Sequence, residues 1–267
     1  MDNLTHSLVG AVLGQAGLKR TTGLAMPALI IGANLPDVDA ACFFWLEGTE
    51  HLAFRRGITH GPPALVLLPL MLAGLLWGWD RWQTKRGTRP EGRLPVRFGW
   101  LYAMAFIGCL SHPFFDWLNV YGIRLLEPFS SQWFYGDTLF IIDPWLWAML
   151  IGSVWWSRRR EKAGAIRWAR PAQAGIAAVF AYIGMNGFIS ANTVVAATLE
   201  ATLLQPTKPA TQEFLDTAAL LFGGHRQQAV CIDGERHADA RGAGRHGRNA
   251  AQLEARQAAA VLHQVAL

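Results

Sequence analysis

Charge is scarce in this chain. Asp, Glu, Lys and Arg make up 16% of its 267 residues, where an ordinary soluble domain carries about 25%. Hydrophobic residues reach 52% with 12 Trp, and mean hydropathy is positive, so an average soluble globule is excluded and a membrane class favoured. Cysteine is scarce too. Cys42, Cys109 and Cys231 stand far apart, with no CxxC pair and no even set, so cysteine carries no structural message. Met1 to His6 lack the basic stretch of a cleaved secretory signal, and the first apolar segment is expected to stay in the mature protein. No useful internal repeat is present. The net charge of +5 would suit nucleic acid or anionic lipid. The apolar runs decide for membrane lipid, and no nucleic-acid partner is expected.

A hydrocarbon core needs roughly 20 helical residues to cross. Pro62 to Trp79 is the clearest such run, followed by Phe98 to about Trp117, Leu139 to Trp156, and Ala174 to about Ala197. Ahead of them, Leu4 to Leu18 and Thr22 to Ala33 flank Lys19 and Arg20. They are short for full spans and read as a hairpin of half-length or tilted helices. Backbone polar groups in lipid are satisfied within helices. The expected fold is therefore all-α, a polytopic transmembrane bundle with an N-terminal hydrophobic helical hairpin.

Positive charge gathers after the first span, from Arg81 to Arg97, and after the third, from Arg158 to Arg170, while 118–138 holds only Arg124. Both basic connections are expected in the cytoplasm. His6, Asp37, Asp39, His60, His112, Asp116, Asp137 and Asp143 then fall near the other, non-cytoplasmic face. Arg55 and Arg56 are the exception to the charge rule. Residues 1–200 read as the membrane domain. The segment 201–267 reads as a tail, poorly ordered or out of frame after about residue 225, where Arg, Ala, Gly, Gln and His replace the aromatics.

Ionisable groups at membrane depth are costly unless they are paired or face a polar cavity. His112 and Asp116 lie four residues apart, on one helix face. That spacing suits two ligands of one ion, and equally an Asp–His hydrogen bond. Asp37 and Asp39 follow Pro36 and can turn two carboxylates toward a cation, although Asn, Pro and Asp are also ordinary turn residues. In Arg55-Arg56-Gly57-Ile58-Thr59-His60-Gly61 the imidazole can be a ligand and an arginine can hold a phosphate oxygen; a basic lipid anchor is the alternative. His6 enters the first apolar helix. Asp137 and Asp143 fit helix caps and are placed outside the ligand set. Together the His and Asp residues meet the ligand demand of a zinc or manganese ion. His225, His237, His246 and His263 have no comparable context.

At these residues the chain resembles the YdjM-like, LexA-regulated inner-membrane proteins, a bacterial family of membrane-bound metal-dependent hydrolases. The resemblance rests on Met1 to Ser7, Pro36 to Asp39, Arg56 to His60, Ser111-His112 with Asp116, Asn119 to Gly122, and Ile142 to Pro144, over residues 1 to about 156. It implies a multi-pass protein of the bacterial inner membrane with a polar cluster of His6, Asp37, Asp39, Arg56, His60, His112 and Asp116. Two positions depart: the family's first His of His-Arg-Gly-x-Thr-His-Ser is Arg55 here, with His51 displaced from it, and the final Ser is Gly61.

The function expected is hydrolysis, a divalent metal lowering the pKa of water and polarising an ester or phosphoester of an amphiphilic substrate. His6, Asp37, His60, His112 and Asp116 are the expected metal ligands, Asp39 the proton acceptor and Arg56 the anion contact. An ion or proton transporter and a non-catalytic metal-binding membrane protein are the alternatives.

Overall fold

The computed structural model describes residues 1–44, 46 and 54–204. His51 and the segment from residue 205 onward lie outside the described residues. Among the described residues six α-helices carry the fold, with no β-strand beyond two isolated bridges. The all-α expectation holds.

Helix α1 (Asn3–Gln15) starts where the Asp2 carboxylate accepts from the Thr5 amide at 3.0 Å. A 3-10 turn, Leu18–Arg20, leads to α2 (Ala25–Gly32). Asn34, just past α2, donates to the Ser7 hydroxyl at 3.0 Å, so α2 returns alongside α1 as the expected hairpin. At 13 residues, α1 is only about 20 Å long. A second 3-10 stretch, Leu35–Phe44, continues α2 after a 47° bend. Then come α3 (Pro62–Lys85), α4 (Phe98–Trp117), α5 (Pro144–Lys162) and α6 (Arg170–Leu204).

Among the described residues three helical segments are long and apolar enough to cross a membrane: Pro62–Lys85, Phe98–Trp117 and Arg170–Leu199, with the bent pair of α2 and Leu35–Phe44 a fourth if counted as one span. The third expected span, Leu139 to Trp156, is corrected. Asp143 caps a helix that begins only at Pro144, accepting from the Leu146 amide at 3.0 Å. Its apolar part ends before Arg158, after about 20 Å of helix, against a hydrocarbon core of about 30 Å.

Lipid tails are as apolar as leucine, so helices in a bilayer associate through close packing and polar contacts. Small residues supply that here. A side-chain carbon on Gly10 would meet the Leu29 carbonyl at 2.7 Å, one on Gly108 would meet the same carbonyl at 2.5 Å, and one on Gly32 would meet the Ala105 carbonyl at 2.7 Å. Helix α4 thereby sits between two cores. Ala25, Leu29, Leu72, Leu101 and Met104 form one with α2 and α3, while Val9, Val12, Phe115, Leu146, Leu150 and Val179 form the other with α1, α5 and α6.

The basic connections converge at one end of the bundle. Gly23 donates to the Pro95 carbonyl at 3.1 Å, the Arg97 amide donates to the Thr22 hydroxyl at 2.8 Å, and Lys19 pairs with Glu161. Arg89 and Arg93 hold Asp80 at 3.1 and 2.8 Å, pinning the α3–α4 connection. The opposite ends of α1, α3 and α4 carry His6, His60 and His112.

Candidate metal centre

His6 lies in the first turns of α1, Asp37 and Asp39 in the 3-10 stretch, Arg55 to His60 just before α3, and His112 with Asp116 in the last turns of α4. The fold brings all of these together. The three imidazoles are fully buried, and Asp116 and Asp39 nearly so.

Asp116 is the centre of the group. His60 Nε2 and His112 Nε2 approach its Oδ2 at 3.7 and 3.6 Å, and His6 Nε2 approaches its Oδ1 at 3.3 Å. The i, i+4 pair is thus in contact, but 3.6 Å is too long for a hydrogen bond. His112 Nε2 also faces Asp37 Oδ1 at 3.7 Å. One donor atom from each of Asp37, His60, His112 and Asp116 lies within 4.8 Å of all the others. His6 stands outside that foursome, its ring stacked on His112 at 3.8 Å.

His112 and His60 are each held from behind. His112 Nδ1 lies 2.7 Å from the Ala33 carbonyl, which fixes a proton on Nδ1 and leaves a lone pair on Nε2. Thr59 Oγ1 donates to Asp39 Oδ2 at 2.9 Å and therefore accepts from His60 Nδ1 at 2.9 Å. His60 Nε2 is left as the basic atom. The Nε2 atoms of His6, His60 and His112 are all buried with no hydrogen-bond partner. Buried polar atoms are normally satisfied, so three such atoms converging on carboxylates fit a bound cation. The residues present suit the group that the sequence calls for.

The cations present occupy the flanks. Arg56 Nε is 3.4 Å from Asp116 Oδ2, while its Nη1 donates to Asn119 Oδ1 at 3.3 Å and to the Gly122 carbonyl at 3.2 Å. Its backbone has a φ of 57°, and its amide donates to Asp39 Oδ2 at 2.8 Å. Arg55 reaches Asp37 at 3.3 Å and Asp39 at 3.7 Å. The Met1 amino group pairs with Asp116; burial lowers its pKa below the usual value although Asp116 opposes the shift.

Two residues of the site were not singled out individually by sequence. Asn119 is fully buried; its oxygen accepts from the Tyr121 and Gly122 amides and from Arg56, and its amide nitrogen lies 3.5 Å from Asp116. Its signal was the Asn-x-x-Gly turn, whose Gly122 has a φ of 64°. Thr59 is the other, readable only as a neighbour of His60. Asp143 caps α5 and accepts from the Tyr182 hydroxyl at 3.0 Å, so it serves packing. Asp137 sits in a loop at a φ of 46°, its carboxyl pushed up by burial. Neither belongs to the cluster.

A family model described as YdjM inner membrane protein matches residues 1–193, well over half of the chain. A second, described as NAD-specific glutamate dehydrogenase, matches residues 206–267. No curated protein and no solved structure matches.

Proposed function

The chain belongs to the YdjM inner membrane protein family, and we propose that it is a metal-dependent hydrolase acting on an ester or phosphoester of an amphiphilic substrate. The observation that carries the reading is the convergence of three unpartnered Nε2 atoms on the carboxylates of Asp37 and Asp116. Mixed imidazole and carboxylate donors suit zinc or manganese. Such an ion supplies Lewis acidity and makes water a nucleophile at neutral pH.

Asp37, His60, His112 and Asp116 hold the ion, with His6 beside them as a fifth donor. Asp39 orients His60 through Thr59; the proton-accepting role expected of it falls to its Oδ1, which has no hydrogen-bond partner. Arg56 steadies an anionic group while Asn119 and Gly122 hold its other edge. Val38, Phe43, Phe44 and Ile58 are exposed around the Arg55 side of the cluster, which supports a substrate with an apolar part. The cluster is assigned to the non-cytoplasmic face because the basic connections lie at the other end of the bundle. The proposed division into a membrane domain, 1–200, and a tail, 201–267, is supported by one family model that matches 1–193 and another that matches 206–267.

The test is metal analysis of the detergent-purified protein, with esterase and phosphodiesterase assays, before and after His112→Ala. Unchanged metal content and activity would reject the assignment. Complete burial of the imidazoles favours one second reading, a closed structural ion without turnover. Metal bound at full occupancy with no hydrolysis of any ester class would select it. A transporter is disfavoured, since the His and Asp groups gather at one end and do not ladder across the bundle.

A further inference from the structure

A second site lies at the basic end of the bundle, away from the metal cluster. The end of α1, the α5–α6 connection and the start of α6 enclose an open cavity of about 310 Å³. Arg20, Arg167 and Arg170 line it, and all three side chains are exposed. Among the described residues none of the three has a carboxylate partner. The neighbouring cation, Lys19, is already neutralised by Glu161. Three guanidiniums without counter-ions around one concavity form a site for an anion, because guanidinium donors match phosphate oxygens in pairs.

The remaining wall identifies the kind of anion. Trp168 is buried against the cavity floor, with Arg20 4.8 Å above its ring and its carbonyl tied to Ser157 at 2.9 Å. Ile166 is 95% exposed on the same lining. Cations and an unshielded aliphatic side chain thus share one rim above a buried indole, at the end of a helix that is itself a membrane span. A free inorganic ion would need the cations alone. Basic pockets between helices at the membrane surface suit anionic headgroups with acyl chains beside them.

We propose that this cavity binds the headgroup phosphate of an anionic phospholipid, held by Arg20, Arg167 and Arg170 with its glycerol and chains against Ile166. The site is independent of the hydrolase reading, since it shares no residue with the metal cluster.

Native mass spectrometry of the full detergent-purified chain tests it, with phosphatidylglycerol and phosphatidylcholine as probes. Phosphatidylglycerol should be retained over phosphatidylcholine, and R167Q/R170Q should weaken retention roughly fivefold for each arginine removed. The control R158Q/R159Q removes two exposed arginines of α5 outside the cavity, and its retention should stay within about twofold, as expected for charges that do not touch the headgroup. Equal losses in the two doubles would mean a diffuse basic field and overturn the proposal. Displacement of the lipid by millimolar inorganic phosphate would overturn the lipid assignment. If R167Q/R170Q aggregates, Arg20→Gln, on a different helix, must show the single fivefold loss; retention unchanged in that variant also overturns it.

Discussion

The Nδ1 atom of His112 and the carbonyl oxygen of Ala33 lie 2.7 Å apart, joining the last turns of α4 to the end of α2. One contact therefore does two things: it occupies a carbonyl that the α2 terminus leaves open, and it turns the Nε2 lone pair toward Asp37 and Asp116. His112→Ala is expected to remove most of the bound metal while the protein still extracts as a helical monodisperse species. Elemental analysis beside circular dichroism checks this; full metal occupancy would contradict the ligand role.

Asp39 and Asn119 are expected to act through their neighbours. Asp39→Asn weakens the chain from the carboxylate through Thr59 to His60, and Asn119→Ala frees Arg56 and Asp116. Each should reduce metal affinity by about 10- to 100-fold, the usual effect of losing a group that orients a ligand. Competition with a calibrated chelator measures it. An effect as large as that of His112→Ala would make either residue a ligand instead.

Arg55 competes for Asp37. A guanidinium 3.3 Å from a ligand carboxylate opposes a cation there, as nearby like charges do. Arg55→His, which places there the residue that the resemblance implies, should raise metal affinity by about tenfold, equivalent to about 1.4 kcal/mol. Unchanged affinity in chelator titrations would show that Arg55 leaves Asp37 free of its own accord.

Gly108→Ala places a carbon 2.5 Å from the Leu29 carbonyl and 3.1 Å from the Ala33 amide. The two helices must move apart, which should cost about 1–3 kcal/mol. Thermal unfolding in detergent reads the loss, and metal content should fall with it because His112 and Ala33 separate.

Asp143→Ala separates cap from site. Losing the cap should cost about 1 kcal/mol and leave metal content unchanged. A fall in metal content in this variant, with the melting temperature preserved, would move Asp143 into the centre.

The spans at Pro62, Phe98 and Arg170 were legible because length and composition alone decide membrane crossing. The error at Leu139 to Trp156 came from reading an apolar run as a helix, although Asp143-Pro144 within it marks a helix start. The site was legible as residue types: Asp37, His60, His112 and Asp116 lie within 4.8 Å of one another, and His6 stacks on His112. Their pairing was not, because His60 and Asp39 meet through Thr59, and Arg56 pairs with Asp116 while Asn119 holds both. Those contacts depend on irregular backbone, including a left-handed Arg56, for which sequence has no periodic signal. The one-sided gathering of charge followed from counting arginines, and the ties from Thr22 to Arg97 and from Lys19 to Glu161 give it a physical form.

Leu35–Phe44 and Ile58–His60 are 3-10 turns, and between them they carry Asp37, Asp39 and His60. Asp37 and His60 face His112 and Asp116 of α4. An ion shared by those residues would act as a fastener between an irregular strap and a rigid post. Stripping the metal should then loosen the strap first, speeding amide exchange around Asp39 and Thr59 while α3 and α6 keep their protection.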